Sequence, residues 1–284
     1  MTTTVTTPNV SSPPTKTIAE PFRDPRFRDL LLSEWTKIRS VRSTIWALGT
    51  LVVAAIGFTS LLTWLTTSQW GSFTEPQRAA LLADPTGQIL GSGFQFSQLA
   101  ICVLGVLVIS AEYSTGTIRA SLLAVPLRTP MLAAKALVFA VLVFVVAEIA
   151  AFPSFFIGAA ILRSRVSVSI TDPGVLRAIV GVGFYGAVLG VFAIAIGTLV
   201  RHTAGAITGI IGFVLVLSPL AQLIPGTIGA HIYAYLPTVA GQQIAMTAQS
   251  SDQMLGAWQG FGVFALWTIA LALFANFALT RRDA

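Results

Sequence analysis

Residues 112–130 read Glu-Tyr-Ser-Thr-Gly-Thr-Ile-Arg-Ala-Ser-Leu-Leu-Ala-Val-Pro-Leu-Arg-Thr-Pro and lie between two long apolar runs. Their side chains suit contact rather than bond making. Glu112, at the mouth of the preceding apolar run, can pair with a basic group or cap the turn that follows. Gly116 permits a tight bend, and Ile118 with Leu122 offers an apolar ridge for a partner's cleft. Arg119 and Arg128 can bind acidic groups on that partner or lipid phosphates. The plainer alternative is that all of these are ordinary basic-side loop residues.

Catalytic patterns are missing elsewhere. No Gly-x-x-x-x-Gly-Lys-Ser/Thr phosphate loop occurs, so the chain is not expected to hydrolyse ATP alone. There is no His-Glu-x-x-His, and His202 and His231 fall on opposite sides of the topology derived below, too far apart to share a metal. The single cysteine, Cys102, excludes an internal disulfide and reads as a small buried hydrophobe. Glu148 is the one carboxylate deep in an apolar run. A charge there is costly and marks a candidate intramembrane polar site, the alternatives being a protonated or hydrogen-bonded acid.

The elements that must position these residues are membrane helices. Of 284 residues, 55% are hydrophobic and 10% charged, with mean hydropathy +0.81. Soluble domains carry roughly 25% charged residues, so the class is an all-α membrane protein. A net charge of +6 then speaks of topology and lipid before nucleic acid, for which no role is expected.

In chain order, residues 1–22 are rich in Thr, Ser and Pro and read as a disordered tail. They lack the apolar stretch of a secretory signal, so the first span is expected to do the targeting. The rest, 23–284, reads as one domain. Over 27–43, Phe27, Leu30, Leu31, Trp35, Ile38 and Val41 recur at helical spacing, and the stripe runs on to Ile45. Arg28, Asp29, Ser33, Lys37, Arg39, Ser40 and Arg42 are expected on the other side, as in a helix lying in the membrane interface. Spans follow at about 44–67, 94–111, 133–162, 175–200, 203–224 and 258–279. Pro153 is expected to kink the third, and 69–91 reads as an external loop. Residues 225–257 are apolar but broken by Pro225, Gly226, Gly229 and Pro237. Short helices dipping into the outer leaflet fit them, with Thr238 as N-cap of a helix running to about Met254.

Orientation follows from Lys and Arg. With the N-terminus inside, thirteen of the 17 basic residues are cytoplasmic; Arg78, Arg163, Arg165 and Arg177 are the four outside. Both termini and 112–130 are thus expected in the cytoplasm. Gly183, Gly186, Gly190 and Gly197 line one face of the fourth span, and Gly205, Gly209 and Gly212 one face of the fifth. Small residues so spaced let backbones approach. They predict that these two spans are antiparallel neighbours, or else a homodimer face.

Glu112-Tyr113-Ser114-Thr115-Gly116-Thr117-Ile118-Arg119, then Leu122, Leu123, Pro126, Arg128 and Ala134-Lys135, resembles the cytoplasmic loop of type-2 ABC transporter permeases. Residues 33–43, Ser-Glu-Trp-Thr-Lys-Ile-Arg-Ser-Val-Arg-Ser, resemble the N-terminal interfacial helix of the same family, with Glu34, Trp35, Lys37, Arg39 and Arg42 as its positions here. The resemblance covers nearly the whole chain. It implies a permease subunit in a bacterial plasma membrane, two copies working with two separate ABC ATPases that hold the ATP and Mg. No cofactor is expected in this chain. It also implies that 112–130 is the coupling helix, with Glu112, Tyr113, Gly116, Thr117, Ile118, Arg119, Leu122, Pro126 and Arg128 facing the ATPase. Short re-entrant helices are implied before the sixth span, and export is implied with no cargo named. The rivals are an ion-coupled secondary transporter, which needs acids in its spans and an internal repeat, and a non-transporting anchor or regulatory subunit.

The charge count predicts that reporter domains fused after residue 202 or residue 281 stay cytoplasmic, and one inserted at 166–170 is exported. Reversed reporter activities would invert the topology.

Overall fold

Lipid offers a backbone no hydrogen-bond partners, so a spanning segment must satisfy its own N–H and C=O groups, as a helix does. The computed structural model describes residues 26–114, 128–248 and 253–281, and the elements among them are helices. They are α1 (Phe27–Ser40), α2 (Arg42–Ser68), α3 (Glu75–Ala83), α4 (Pro85–Ser114) and α5 (Arg128–Leu162). The order continues with α6 (Val175–Val200), α7 (Thr203–Gln222), α8 (Gly226–Ala234), α9 (Pro237–Gln242) and α10 (Ala257–Arg281). Short 3-10 turns occupy Trp70–Ser72 and Gln243–Ala245. Six helices, α2, α4, α5, α6, α7 and α10, are long and apolar enough to cross a membrane. Val53, Leu273 and Phe274 are 72%, 65% and 60% exposed at mid-helix, surface that an apolar surrounding must cover.

The bundle is built around α6, 16 of whose 26 residues are buried. It packs most heavily on α5 and α4 and then on α10, while α2 leans on α5 and α4 and α1 lies on α5. A ladder of rings fills the centre: Phe94–Tyr185 at 5.1 Å, Tyr185–Phe264 at 5.2 Å and Phe192–Phe213 at 5.4 Å. Cys102 is fully buried in this core. The helix pair α4–α6 meets so closely that a Cβ on Gly105 would lie 2.6 Å from Ala193 Cβ and 3.0 Å from the Gly190 carbonyl.

Several expectations change. The glycine face of α6 meets α5 and α4, with Gly190 against Phe139 and Gly197 against Ile109, rather than α7. On α7, Gly209 and Gly212 have open space where a side chain would stand. Pro153 lies inside α5, which continues on both sides of it.

The expected loop at 69–91 contains α3 and the first turns of α4. Its start is a reciprocal cap, Thr74 with Gln77 (Thr74 N–H to Gln77 Oε1, 2.9 Å). Asp84 then accepts from Gly87 N–H at 2.8 Å and Pro85 opens the helix. These signals were present in the sequence but outweighed by local polarity.

The helix expected from Thr238 to Met254 is capped at Leu236, and α9 ends at Gln242. The backbone beyond is claimed by tertiary donors and acceptors. Arg177 donates to the Ile244 and Met246 carbonyls at 3.0 and 2.9 Å. Asp84 accepts from Thr247 N–H at 3.0 Å and also from the Thr247 hydroxyl. Arg165 stands over the Trp70 ring at 5.7 Å, and Arg78 donates to the Trp70 and Gly71 carbonyls. Thus Arg78, Arg165 and Arg177, three of the exceptions to the charge count, each serve as a structural donor or cation at the same end of the bundle.

Removing the Asp84 carboxylate should therefore loosen that end. Asp84→Ala is expected to cost about 1–3 kcal/mol, seen as a lower unfolding temperature in detergent, with Asp84→Asn costing less. An unchanged transition in Asp84→Ala would show that the contact with Thr247 carries no stability.

Candidate functional site

The expected inner and outer faces of α1 exchange some members. Leu30 and Glu34 are buried and Lys37 is half-buried, while Phe27, Leu32 and Trp35 are exposed at 44%, 53% and 46%. Positions 30, 34, 37 and 38 form one helical stripe, so two charges point into the protein beside Leu30. Lys37 is therefore on the packed face and not, as expected, with Arg39 and Arg42, which are exposed.

Those two charges meet two more. Glu112 closes the last turn of α4, and Lys135 sits in the second turn of α5. Lys135 is 2% exposed, Glu34 3% and Glu112 8%. Lys135 Nζ donates to Glu34 Oε2 at 2.5 Å and to Glu112 Oε1 at 2.8 Å. Lys37 Nζ donates to Glu34 Oε1 at 2.6 Å and to Glu112 Oε1 at 3.1 Å. The result is a closed ring of two carboxylates and two ammonium groups, of zero net charge, joining α1, α4 and α5. Glu112 Oε2 is buried and has no hydrogen-bond partner among the described residues.

Neutrality makes the ring tolerable. Each ion loses several kcal/mol of hydration on burial, and removing one partner strands the others. Burial pushes the Lys37 ammonium toward deprotonation, but its hydrogen bond to Glu34 and the charge of Glu112 outweigh this, so its pKa lies above the ordinary lysine value. The sign follows from linkage. A raised lysine pKa contributes stability fully present below the unfolded value of about 10.4, and lost as pH climbs through the folded one. At neutral pH the Lys37 ammonium is therefore charged.

Among the described residues no group of three or more His, Cys, Asp and Glu side chains could hold a metal ion. The ring's two lysines occupy the place a cation would take. The ring joins α1 to the end of α4 and the start of α5.

Of the residues singled out in the sequence, Glu34, Lys37 and Glu112 are brought together here. Tyr113 lies next to them and carries the Arg201 guanidinium over its ring at 5.5 Å, joining the end of α4 to the α6–α7 turn. In that turn His202 Nδ1 accepts from Gly205 N–H at 3.1 Å, a cap rather than a ligand. Gly116, Thr117, Ile118, Arg119, Leu122 and Pro126 lie outside the described residues; Arg128 opens α5, its side chain undescribed. Glu148 is remote from the ring, on α5, with its buried carboxylate against Gly183 of α6.

Sequence reasoning gave Lys135 no role and Glu34 no partner. The available signal was the shared stripe of Leu30, Glu34 and Lys37, with opposite charges waiting at the ends of two apolar runs. Also missed was a buried polar node in which Tyr185 and Gln242 both donate to Gln98 Oε1, at 3.2 and 3.3 Å. No protein-family model matches the chain, and neither does any curated protein.

The ring predicts unequal costs. Lys135→Met should destabilise by about 3–5 kcal/mol, whereas Lys37→Met should cost less because its head is partly hydrated. Pairing Lys135→Met with Glu112→Gln should recover about 0.5–3 kcal/mol. A double-mutant cycle on unfolding in detergent measures this, and strict additivity would mean the ring is not coupled.

Proposed function

We propose that this chain is the membrane-spanning permease subunit of an ATP-binding-cassette transporter of the type-2 kind, exporting its cargo with energy from a separate ATPase subunit. The observation that carries this reading is the buried ring of Glu34, Lys37, Glu112 and Lys135, which ties α1 to both helices flanking residues 115–127. A segment that receives a push is useful only if the push reaches the spans. Here a force on 115–127 would be delivered to α4 through Glu112 and to α5 through Lys135, with α1 obliged to follow.

In this reading α1 lies in the cytoplasmic interface, exposing Trp35, Leu32 and Phe27 to lipid and Arg39 to headgroups or the ATPase, with Arg42 at the start of α2 beside it. Closure of the ATPase on ATP and Mg moves the coupling segment that runs from the end of α4 to the start of α5, with Ile118 and Leu122 offered to the partner's cleft. Arg119 and Arg128 bind acidic groups beside it. Two permease copies form the passage, and α4 and α5 shift as rigid bodies to open it. Helices α8 and α9 are the re-entrant pieces at the outer end, and Arg177 and Asp84 hold the backbone at 244–247 that follows them. The chain itself catalyses nothing and uses no cofactor. An ion-coupled carrier would need more intramembrane acid than Glu148.

Co-expression with an ATPase encoded beside this chain tests the reading. A stable complex is expected, with transport-linked ATPase activity that falls on the order of 5-fold or more in Glu112→Gln and Arg119→Ala. Full activity in both variants, or transport driven by an ion gradient without ATP, would overturn it.

A further inference from the structure

Glu112 and Tyr113 are successive residues in the last turn of α4, so their side chains leave the helix about 100° apart. Glu112 goes to α1 and α5 in the ring. Tyr113 goes to the α6–α7 turn, where Arg201 holds its guanidinium over the phenol ring, 5.5 Å from the centroid. A cation in that place is attracted by the negative face of the ring. The end of α4 thus makes a second charged contact, and this one leads to α7.

Arg201 keeps its position against the preference of its own backbone. It caps α6 with φ 56° and ψ 6°, and among the described residues it is the one other than glycine with positive φ. The left-handed region crowds the Cβ of an L-residue, and glycine is the usual occupant at a helix C-terminus. Glycine would serve this cap as well, since the capping bond runs from the backbone N–H of residue 201 to the Gly197 carbonyl, 3.1 Å. What glycine lacks is the guanidinium. The strained residue is therefore accounted for by its side chain and not by the turn.

The turn has no slack in which a displacement could be lost. Arg201 closes α6 and His202 opens α7, its ring accepting from Gly205 N–H at 3.1 Å. Helix α6 is already fixed to α4, because Gly105 meets Gly190 and Gly197 meets Ile109 with no room for a side chain. Helix α7 is less committed. Its buried residues are Ala206, Ile210, Val214 and Ala221 out of 20, and Gly209 and Gly212 face open space. Its placement therefore depends on what holds its first turn.

We infer that Tyr113 and Arg201 form a latch that makes α7 follow the end of α4. The latch rests on the permease reading for what drives it: a displacement arriving at the end of α4 passes to α1 and α5 through Glu112 and to α7 through Tyr113. Arg201 is on this account a positioning residue. Helices α2 and α7 both pack on α4, so the separation between them reports whether α7 is held.

Spin labels on Val53→Cys of α2 and Leu220→Cys of α7, both exposed positions, measure that separation by pulsed electron paramagnetic resonance. The full chain is used in detergent, with Cys102→Ala and dilution by unlabelled chain. One narrow distance is expected, lost in Arg201→Gly and in Tyr113→Leu and kept in Tyr113→Phe, which retains the ring. A residue that merely shaped the turn would be replaced by glycine without loss. Arg201→Gly is expected to keep its unfolding temperature, because glycine relieves the left-handed backbone. In the complex with the ATPase, ATP and Mg should shift the distance, and Arg201→Gly should lose the shift while ATP hydrolysis continues. A narrow distance in Arg201→Gly, an Arg201→Gly chain that fails to fold, Tyr113→Phe as broad as Tyr113→Leu, or a complex in which ATP shifts nothing would overturn the latch. Should no ATPase assemble with the unsubstituted chain, the permease reading fails, and the distances in the chain alone still decide whether Tyr113 and Arg201 hold α7.

Discussion

Four charged side chains withdrawn from water must satisfy one another, and this requirement governs one end of the bundle. Glu34, Lys37, Glu112 and Lys135 come from three helices, and none of the three can leave without stranding the charges of the other two. The cost of burying them makes the ring a weak source of net stability, but a strong source of specificity. Only one relative placement of α1, α4 and α5 lets two carboxylates bridge two ammonium groups. An apolar contact of the same area would tolerate sliding; this one does not.

The opposite end is held by different means. There Asp84 and Arg177 take hold of backbone groups around residues 244–247, between α9 and α10. Irregular backbone beside lipid needs partners from elsewhere in the protein, and these two side chains supply them. Between the two ends the packing is steric, with α6 and its small residues admitting α4 and α5 to close contact. The molecule is therefore clamped by charge at one end and by side chain to backbone bonds at the other. A displacement arriving at the ring has stiff helices to travel along, which is the physical content of the permease proposal.

Much of the architecture was legible because lipid imposes a one-dimensional rule. Long uncharged runs of helix-compatible residues must cross the membrane, and six helices suited to that task stand close to where hydropathy puts them, α6 at the same bounds. Boundaries fared worse where polar sequence is helical. The polarity of residues 69–91 suggests a loop and masks the cap at Thr74 that starts α3 and the Asp84–Pro85 start of α4. The reading of Thr238 as an N-cap failed for the reverse reason. Local propensity favoured a longer helix, and tertiary hydrogen bonds from Arg177 and Asp84 pulled the chain out of it.

By itself, the sequence determined the membrane class, the six apolar helices and the presence of a charged break after the second of them, since these depend on local composition and periodicity. Which charges meet was decided only by tertiary structure. Glu34 and Lys135 are separated by about a hundred positions, and no local rule links them; their pairing emerges once α1 lies across the start of α5. The same holds for Lys37, whose helical register permits an outward or an inward role. It turns inward because two buried carboxylates need a second cation, a need that exists only after the helices have packed.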